Sequence, residues 1–574
     1  MTPIQRPASL VRPAAKLAVP SLAVLGLVMS LWPVLRSAFR LMPTDPGDTR
    51  LNNYLLEHGY LWIQGAADLW SPAIFHPVRG TFAYGDVLLG AAPIYWALRA
   101  TGFEPDTAFQ LWIVACLALD YGILWLWLAR GLGLGAGASA AGAFLFAFGS
   151  TRIAQLNHQQ LLPQFFTVLA LHASTRLLQQ GEGNVGRAGR IPPWGWIAVF
   201  FAALVLQLHA SFYLGWFALL GTGIALAWAL ALRRLRQPLL AAVRGHGKAI
   251  SASAALSALA LAPLVTRYLQ VGRELGFRKF AEVQPMLPLP YSWLYLGPES
   301  WLYSWQGSVW PWRILVPSFY RNEHAIGFGL ITLGLALWGL FRQTRARPLA
   351  RIALLSLLCG GTIVVCVTLF APGVTLWSLL FPIVPGASGI RAISRAALLL
   401  LIPVSLGLGL ALEALRGRPW LFALALSLVI AEQGRRIAFY DKQETREQVS
   451  AIAERVRARR CATFYYSPVL VPTGVPIGER PMRWDPVPWA HPVPYKYQVD
   501  AIWAEWQTGV PTLNGYAGKL PREFMATIGW NQIASSEDLP RIRDGLRRWA
   551  SIHSIEFDLE SCWIKLVDRE GRSP

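Results

Sequence analysis

The sequence predicts a polytopic α-helical membrane protein of about 11 to 13 transmembrane helices, with a C-terminal α/β or α+β domain outside the membrane. The 574 residues are 54% hydrophobic and only 15% charged, whereas soluble domains carry roughly 25% charged residues. Apolar runs of about 17–25 residues, long enough to cross a bilayer, recur through the first 440 positions. After Asp441 the pattern changes to short alternating runs and Pro-rich turns. The sequence therefore predicts a transmembrane domain over 1–440 and an extracytoplasmic domain over 441–574.

The distribution of charge argues against a nucleic-acid partner. The net charge is +20, but the part from Asp441 onward is nearly balanced, with 18 Lys and Arg against 17 Asp and Glu. The first 440 residues hold 34 basic and only 15 acidic residues. This surplus lies in short loops between apolar runs, which is typical of the cytoplasmic side of a membrane protein. We therefore interpret the basic charge as a topology signal and expect a lipid bilayer, not a polyanion, around this part.

The basic loops also predict the orientation of the chain. The first span, near 18–35, follows basic residues and precedes no small-residue cleavage site, so we expect an uncleaved signal anchor with a cytoplasmic N-terminus. The loop Arg233–Lys248 contains no acid and is the clearest cytoplasmic loop. A last span near 419–438 then carries the C-terminal domain outside. Two short apolar segments, 84–98 and 374–385, are doubtful as spans. A full crossing by 84–98 would break the alternation of cytoplasmic and outer loops.

The cysteines predict at most one disulfide. Three of the five cysteines lie in apolar runs and are expected to be packing residues. Cys461 and Cys562 lie in the polar C-terminal part, and they could form a disulfide if that part is extracytoplasmic.

An acidic turn directly after the first span is the first candidate for chemistry. Asp45 and Asp48 flank Pro46 and Gly47, a turn that would aim both carboxylates the same way. A carboxylate here could accept a proton from an attacking hydroxyl. It could equally hold a divalent metal, Mg or Mn, that bridges to a phosphate leaving group. The structural alternative is a turn in which Asp48 caps a helix beginning at Thr49, but the long aromatic-rich loop that follows favours a catalytic role.

Two further polar clusters are expected on the same outer face. Asn157, His158 and Gln159 are candidates for hydrogen bonds to a sugar or phosphate, although a His at an interface can be merely interfacial. Arg152 beside them is a candidate for binding a donor phosphate, or it could pair with an acidic group.

The second cluster contains Arg391 and Arg395, four residues apart on one helical face. They lie outside by the expected topology, against the positive-inside trend, which favours binding of a lipid-linked phosphate. Anchoring to lipid headgroups is the alternative. Weaker substrate-binding candidates lie near the ends of helices or in a C-terminal turn, which could be structural or a lid over the acceptor: His209, Tyr213, Glu323, Asn514 and Tyr516.

Together, the acid after the first span, the many later spans and the outer C-terminal domain resemble the GT-C superfamily of integral-membrane glycosyltransferases. The resemblance is to protein O-mannosyltransferases, to aminoarabinose transferases and to less-characterised bacterial relatives. It implies that Asp48, with Asp45 beside it, is the first-loop aspartate that acts as the base or as a metal-linked residue. It also implies a polyprenyl-phosphate-linked sugar donor and a glycan, lipid or protein acceptor at the outer face of a bacterial inner membrane. A Trp-Trp-Asp-Tyr-Gly oligosaccharyltransferase signature is missing, which disfavours peptide N-glycosylation.

Two other functions remain open at this stage. A transporter or flippase of lipid-linked sugars would need intramembrane charges along a path, and Asp120 and Glu432 are the main candidates. A non-catalytic assembly factor for envelope polysaccharide would tolerate the loss of both Asp45 and Asp48.

Overall fold

The polytopic helical fold is confirmed by a computed structural model, which describes residues 11–181, 191–315, 321–344, 349–469, 495–531, 533 and 537–567, with backbone only before residue 17. In the membrane part the helices are α1 Val11–Arg36, α2 Asp48–Ile63, α3 Ala92–Ala100, α4 Pro105–Leu126, α5 Ala136–Phe148, α6 Ser150–Ile153, α7 Phe165–Gly181, α8 Pro193–Ala210, α9 Phe212–Ala231, α10 Arg233–Leu275, α11 Phe280–Val283, α12 Arg321–His324, α13 Leu330–Gln343, α14 Ala350–Val367, α15 Trp377–Leu380, α16 Ala396–Ala414 and α17 Pro419–Glu432.

Seven of these helical stretches are long and apolar enough to cross a membrane by length and composition. They are Leu17–Arg36, Pro105–Gly131, Pro193–Ala210, Phe212–Ala231, Arg233–Leu275, Ala350–Val367 and Ile393–Ala414. The shorter helices α13 and α17 are apolar as well. Each of the eleven apolar segments expected from the sequence contains a helix. These are the seven long stretches, the shorter helices α13 and α17, and helices α5 and α7.

The two doubtful segments are too short to cross. Segment 84–98 contains the end of a 3-10 turn and most of α3, which has nine residues and is therefore roughly 14 Å long. A bilayer core is about 30 Å thick. Segment 374–385 contains α15, a helix of four residues. Neither is a full span, so the conflict in alternation that a crossing by 84–98 would create does not arise.

The central helix of the bundle is α16, in which 89% of the apolar stretch is buried. It packs tightly on α13 because small residues face each other. A Cβ on Gly407 would lie 2.4 Å from the carbonyl oxygen of Ala336, and one on Gly339 would lie 2.2 Å from that of Gly407. Close backbone approach at small residues is a common way to pair helices in a membrane.

The part after residue 438 folds against the first loop. Strand β1 (Leu41–Pro43) pairs antiparallel with β2 (Phe439–Asp441), and β3 (Tyr465–Val469) pairs in parallel with β4 (Trp563–Val567). Around β3 and β4 lie α18 (Lys442–Ala458), α19 (Lys496–Thr508) and α20 (Asp538–Ile552), and a disulfide joins Cys461 to Cys562.

Contacts of three kinds join this part to the loop after α1. The indole nitrogen of Trp549 donates to the carbonyl of His76 at 2.9 Å. The rings of Phe75 and Phe524 lie 5.1 Å apart in an edge-to-face arrangement. Arg50 and Asp500 form a buried ion pair. The first loop and the C-terminal part are therefore held in a fixed relation, which matters for the site below.

Arg152 is buried and paired with protein groups, which is a reason against the donor-phosphate role expected for it. Its side chain is 1% exposed and lies 3.2 Å from a carboxylate oxygen of Asp120. Its Nε donates to the carbonyl of Phe146 at 2.6 Å, and an amino group donates to the side chain of Gln164 at 2.6 Å. Arg152 thus fastens the loop between α5 and α7 to α4. Its pairing with Asp120 is the alternative role, pairing with an acidic group, that the sequence left open.

The disulfide predicts a specific thiol count. Full-length protein denatured without reductant should expose three alkylatable thiols, those of Cys116, Cys359 and Cys366, and five after reduction. Intact-mass measurement after alkylation checks this. Cys461→Ala should destabilise the folded protein by about 2–5 kcal/mol because the bridge closes a loop of about 100 residues. Cys366→Ala is the control, and equal unfolding temperatures for the two variants would contradict the prediction.

The buried ion pair predicts a large loss of stability on truncation. Arg152→Ala leaves Asp120 buried without its cation, which should cost about 3–5 kcal/mol. Thermal unfolding of the purified protein should therefore show a strongly lowered midpoint. Arg391→Ala removes an exposed guanidinium and should change stability by no more than about 0.5 kcal/mol. If both variants had the same unfolding midpoint as the wild type, the structural role given to Arg152 would be refuted.

Candidate active site

Four charged side chains from distant parts of the sequence form one continuous ionic chain, which consists of Asp48, His158, Glu323 and Arg395. Nδ1 of His158 lies 3.2 Å from Oδ2 of Asp48, and its Nε2 lies 3.6 Å from Oε1 of Glu323. Both oxygens of Glu323 accept from the guanidinium of Arg395, at 2.5 and 3.1 Å. Exposure falls along the ionic chain from 23% for the side chain of Asp48 to 6% for that of Arg395. Asp48 is therefore its accessible end.

The turn before α2 presents Asp48 but not Asp45. Oδ1 of Asp45 accepts from the backbone N–H groups of Gly47 and Asp48, at 2.8 Å each. Asp45 is only 3% exposed, so the expectation that both carboxylates point the same way is wrong. Helix α2 begins at Asp48 itself, with Gly47 at the N-cap and no capping bond from a side chain. Asp45 shapes the turn, and Asp48 is the more exposed of the two carboxylates.

Gln159 locks this turn in place. Its side chain is fully buried, which is a reason against the substrate-binding role expected for it. Its amide donates to the hydroxyl of Thr49 at 2.8 Å, and its carbonyl oxygen accepts from Asn52 at 3.0 Å. Gln159 thereby joins the first turn of α2 to the loop that carries His158, and it fixes the distance between Asp48 and His158.

The two carboxylates of the turn differ in protonation because their surroundings differ. Burial raises the pKa of Asp45 to about 7, and the nearby charge of Asp48 adds to the effect. Burial also acts on Asp48, but hydrogen bonds from His158 and Tyr516 outweigh it and lower the pKa of Asp48 below 3.8. A pair of carboxylates whose pKa values are pushed apart is a common arrangement at catalytic sites. Near pH 6 Asp45 is neutral and Asp48 is ionised.

His158 is held as a cation between its two carboxylates. Burial and the nearby charge of Arg395 lower its pKa, but the bonds to Asp48 and Glu323 outweigh them, and the pKa of His158 is raised above 6.5. Burial acts against ionised Glu323 as well, yet Arg395 and His158 lower its pKa. Asn157, whose amide lies 3.5 Å from Nε2 of His158, is half-buried beside the ionic chain.

Tyr213 connects Arg395 to Arg391. The guanidinium of Arg395 lies over the ring of Tyr213, 5.1 Å from its centroid. The hydroxyl of Tyr213 accepts from the backbone N–H of Arg391 at 3.0 Å. The side chain of Arg391 is exposed and forms no ion pair with a described residue. The two arginines thus differ, since Arg395 is neutralised by Glu323 and Arg391 is available at the rim.

The C-terminal part supplies Tyr516 to the site. The hydroxyl of Tyr516 donates to Oδ1 of Asp48 at 2.6 Å. Asn514, expected to bind substrate, is instead fully buried and bonds the backbone of Tyr466 and the side chain of Gln498. Asn514 fixes the turn that presents Tyr516. His209 bonds a carbonyl of its own helix, and no described contact joins it to the ionic chain.

Asp86 is a site residue that the sequence reasoning missed. Its carboxylate accepts from the backbone N–H of Phe212 at the start of α9. Burial raises its pKa to about 6, against the charges of Arg395 and His158, which lower it. Asp86 therefore lies within electrostatic range of the ionic chain. A lone acid at the start of the otherwise apolar segment 84–98 was the available signal.

The residues present do not fit a resident divalent cation. Oδ1 of Asp48 accepts from Tyr516 and its Oδ2 faces His158, while both oxygens of Glu323 face Arg395. Within the described ranges, no group of three or more His, Cys, Asp or Glu side chains could hold a metal ion. The oxygens that Mg or Mn would need already face protein donors, so the Mg or Mn site expected at Asp48 is not formed by these residues.

No family model and no curated protein sequence matches the chain. The structure is similar to that of arabinofuranosyltransferase AftD from Mycobacteria, with a TM-score of 0.45 and 16% identity. It is also similar to two structures of the Archaeoglobus fulgidus oligosaccharyltransferase, one with Zn and sulfate (TM-score 0.46, 14% identity) and one, of AglB, with an inhibitory peptide and a dolichol-phosphate (TM-score 0.46, 13% identity).

The matches cover 81%, 87% and 96% of this chain but only 30%, 62% and 69% of the other chains. This chain therefore spans less than two thirds of AftD and of the first oligosaccharyltransferase structure. The names of these proteins describe an arabinofuranosyltransferase and an oligosaccharyltransferase, and the likeness concerns fold alone.

Proposed function

We propose that the chain is a membrane glycosyltransferase that moves one sugar from a polyprenyl-phosphate-linked donor to an acceptor at the outer membrane face. The observation that carries this proposal is the state of Asp48. It is an accessible carboxylate, kept ionised and oriented by His158 and Tyr516. Such a group can take the proton of an acceptor hydroxyl during glycosyl transfer.

The proposed topology puts this site on the outer side. If each of the eleven apolar segments expected from the sequence crosses once, an N-terminus inside the cell places the C-terminal part outside. The end of α1 and the starts of α9 and α16 then lie on the outer side with the ionic chain. The basic stretch Arg233–Lys248 lies inside, as the positive-inside rule requires. In a bacterium this corresponds to the inner membrane.

In the proposed reaction the acceptor oxygen attacks the anomeric carbon with inversion. The bond from that carbon to the donor phosphate oxygen breaks, and the phosphate leaves with the electron pair. Asp48 receives the proton of the acceptor hydroxyl. Because the pKa of Asp48 is lowered, it is a weak base, and proton transfer is expected late, after positive charge has developed on the sugar. No step requires a metal ion.

The proposed phosphate ligand is Arg391. Its guanidinium is exposed at the rim, and its backbone is held by Tyr213. A guanidinium can bind phosphate oxygens through two parallel hydrogen bonds and can stabilise the charge on the leaving group. Arg395 is already bound to both oxygens of Glu323, so we assign it a positioning role toward Glu323 and His158.

The alternative of a transporter or flippase has less support. Asp120, one of its two candidate intramembrane charges, pairs with Arg152. The other, Glu432, accepts from the hydroxyl of Tyr303 at 2.5 Å and from the backbone of Thr332 at 2.7 Å. Both carboxylates therefore have structural partners. The first experiment below distinguishes an enzyme from a non-catalytic assembly factor.

The central prediction concerns the two carboxylates of the turn. Asp48→Asn should lower sugar transfer by roughly 10²–10⁴-fold, because the proton acceptor is lost. Asp45→Asn should retain transfer within a few-fold at pH 6, because Asp45 is already neutral there and an amide oxygen still accepts from the turn. Transfer from a radiolabelled polyprenyl-phosphate sugar in proteoliposomes measures both. Wild-type activity in the Asp48 variant would remove the basis of the proposed function.

The same electrostatics predict a pH profile. The raised pKa of His158 means that its cationic form is fully present below about 6.5 and is lost as pH rises through the folded-state value. The lowered pKa of Asp48 means that its ionised form is complete above about 3.8 and is lost as pH falls through the lowered value. Transfer should therefore reach a plateau between these limits and decline on the alkaline side.

Two variants identify the group whose titration causes the decline of sugar transfer at alkaline pH. Glu323 and Arg395, which face His158, keep their charges throughout this range, but Asp45 also titrates near pH 7. His158→Gln should lower the plateau and abolish the alkaline decline, whereas Asp45→Asn should keep it. A decline that persisted in the His158 variant and vanished in the Asp45 variant would reverse the assignment.

A further inference from the structure

A short segment bridges the C-terminal turn that carries Tyr516 and the outer loop that carries Arg391. We call this segment, residues 276–282, the strap. It follows α10, and the chain leaves that helix at Gly276, whose φ of +84° favours glycine. The strap contacts the turn on one side and the outer loop on the other, and both sets of contacts pass through Arg278.

The side chain of Arg278 fastens the strap to the C-terminal turn. One terminal amino group of its guanidinium donates to the carbonyl of Gly518 at 2.8 Å, and the other donates to the carboxylate of Glu282 at 3.0 Å. In the opposite direction, the ammonium group of Lys519 donates to the carbonyl of Gly276. The strap and the turn are therefore joined by two reciprocal bonds from cationic side chains.

The turn is a rigid anchor for the strap. A Cβ on Gly515 would lie 2.3 Å from the ring of Phe75, and one on Gly518 would lie 3.0 Å from the carbonyl oxygen of Tyr84. The turn thus packs directly on the first loop at both of its ends. The position of Arg278 is therefore set by the same parts of the chain that hold Asp48 and its tyrosine.

The backbone of Arg278 holds the loop of Arg391. The N–H of Arg278 donates to the carbonyl of Ser388 at 3.0 Å. Close by in the sequence, the rings of Phe280 and Phe381 lie 5.7 Å apart in an edge-to-face arrangement. The strap is therefore attached to the outer loop by a backbone hydrogen bond and by an aromatic contact.

The same loop has two further fixed points, and both lie on α9. The indole nitrogen of Trp216 donates to the carbonyl of Pro385 at 2.9 Å. The hydroxyl of Tyr213 accepts from the backbone N–H of Arg391 at 3.0 Å. Ser388 lies between these points in the sequence, so the bond from the strap restrains the middle of the loop, which these two bonds do not hold.

We propose that Arg278 is a positioning residue for the donor phosphate and that it acts through Arg391. This inference rests on the proposed function, in which Arg391 binds the phosphate. The reach of an exposed guanidinium depends on where its backbone is held, and supporting contacts of this kind set how well a ligand is bound. Both terminal amino groups of Arg278 already bind protein oxygens, so we assign Arg278 no contact with the phosphate itself.

Binding of a lipid phosphate tests this inference. Undecaprenyl phosphate, which carries no sugar, is titrated onto the full-length protein in detergent micelles, and native mass spectrometry measures the bound fraction. Arg391→Ala should weaken this binding roughly tenfold, because a charge-assisted contact is lost. Arg278→Ala should weaken it roughly three- to fivefold, because Arg391 remains but is less well held. Binding of undecaprenol, the same lipid without phosphate, should be unchanged in both variants.

The double variant separates positioning from an independent role. If Arg278 acts only through Arg391, the variant with both Arg278→Ala and Arg391→Ala should bind undecaprenyl phosphate no more weakly than Arg391→Ala alone. A loss equal to the product of the two single effects would mean that Arg278 contacts the phosphate directly or supports some other part of the site. That result would overturn the inference.

Two further variants serve as controls. Arg273→Ala removes an exposed arginine from the last turn of α10 and should bind like the wild type. Arg278→Lys keeps a cationic donor for the carbonyl of Gly518 and should remain within about twofold of the wild type. Arg278→Ala should unfold at the wild-type temperature, because partly exposed charged contacts contribute little to stability. Its weaker binding then has no origin in misfolding.

The inference and the proposed function fail in different ways. Unchanged binding by Arg278→Ala together with weakened binding by Arg391→Ala would overturn the inference and leave the proposed function intact. Wild-type binding by Arg391→Ala would overturn the phosphate ligand of the proposed function, and the positioning role would fall with it. Equal affinity of the wild type for undecaprenyl phosphate and undecaprenol would have the same consequence.

Discussion

The site depends on keeping one carboxylate ionised in a place where burial favours its neutral form. For Asp48, burial alone would raise the pKa, and hydrogen bonds from His158 and Tyr516 reverse that effect. His158 is in turn held as a cation because it also pairs with Glu323, and Glu323 forms an ion pair with Arg395. Removing one member would leave a buried charge without its counter-charge, which is far more costly than losing an exposed pair.

Much of the helical fold could be predicted from the sequence because the membrane imposes a local constraint. A chain in lipid must satisfy its backbone hydrogen bonds within each span. The apolar runs therefore located a helix in each of the eleven expected segments, seven of them long enough to cross. The scarcity of acids in the first 440 residues pointed to Asp48. Polar and charged residues at the membrane interface also indicated His158 and the arginine pair. In the structure Arg395 is buried against Glu323, whereas Arg391 is exposed.

The remainder could not be predicted because it depends on partners far away in the sequence. Whether Arg152, Gln159 and Asn514 face a cavity or the core is decided by packing, and all three are buried. The backbone N–H groups that donate to Asp45 are close in sequence, yet nothing in the sequence pattern shows that this carboxylate turns inward. Asp86 was missed since its partner, the start of α9, is 126 residues away.

The hydrogen bond between Tyr516 and Asp48 joins residues 468 positions apart. During synthesis the acidic turn emerges first, and its tyrosine follows only after every membrane helix has been inserted. Until then Asp48 lacks one of the two donors that lower its pKa. The ionised state of Asp48 therefore depends on a part of the chain that is made long after the turn itself.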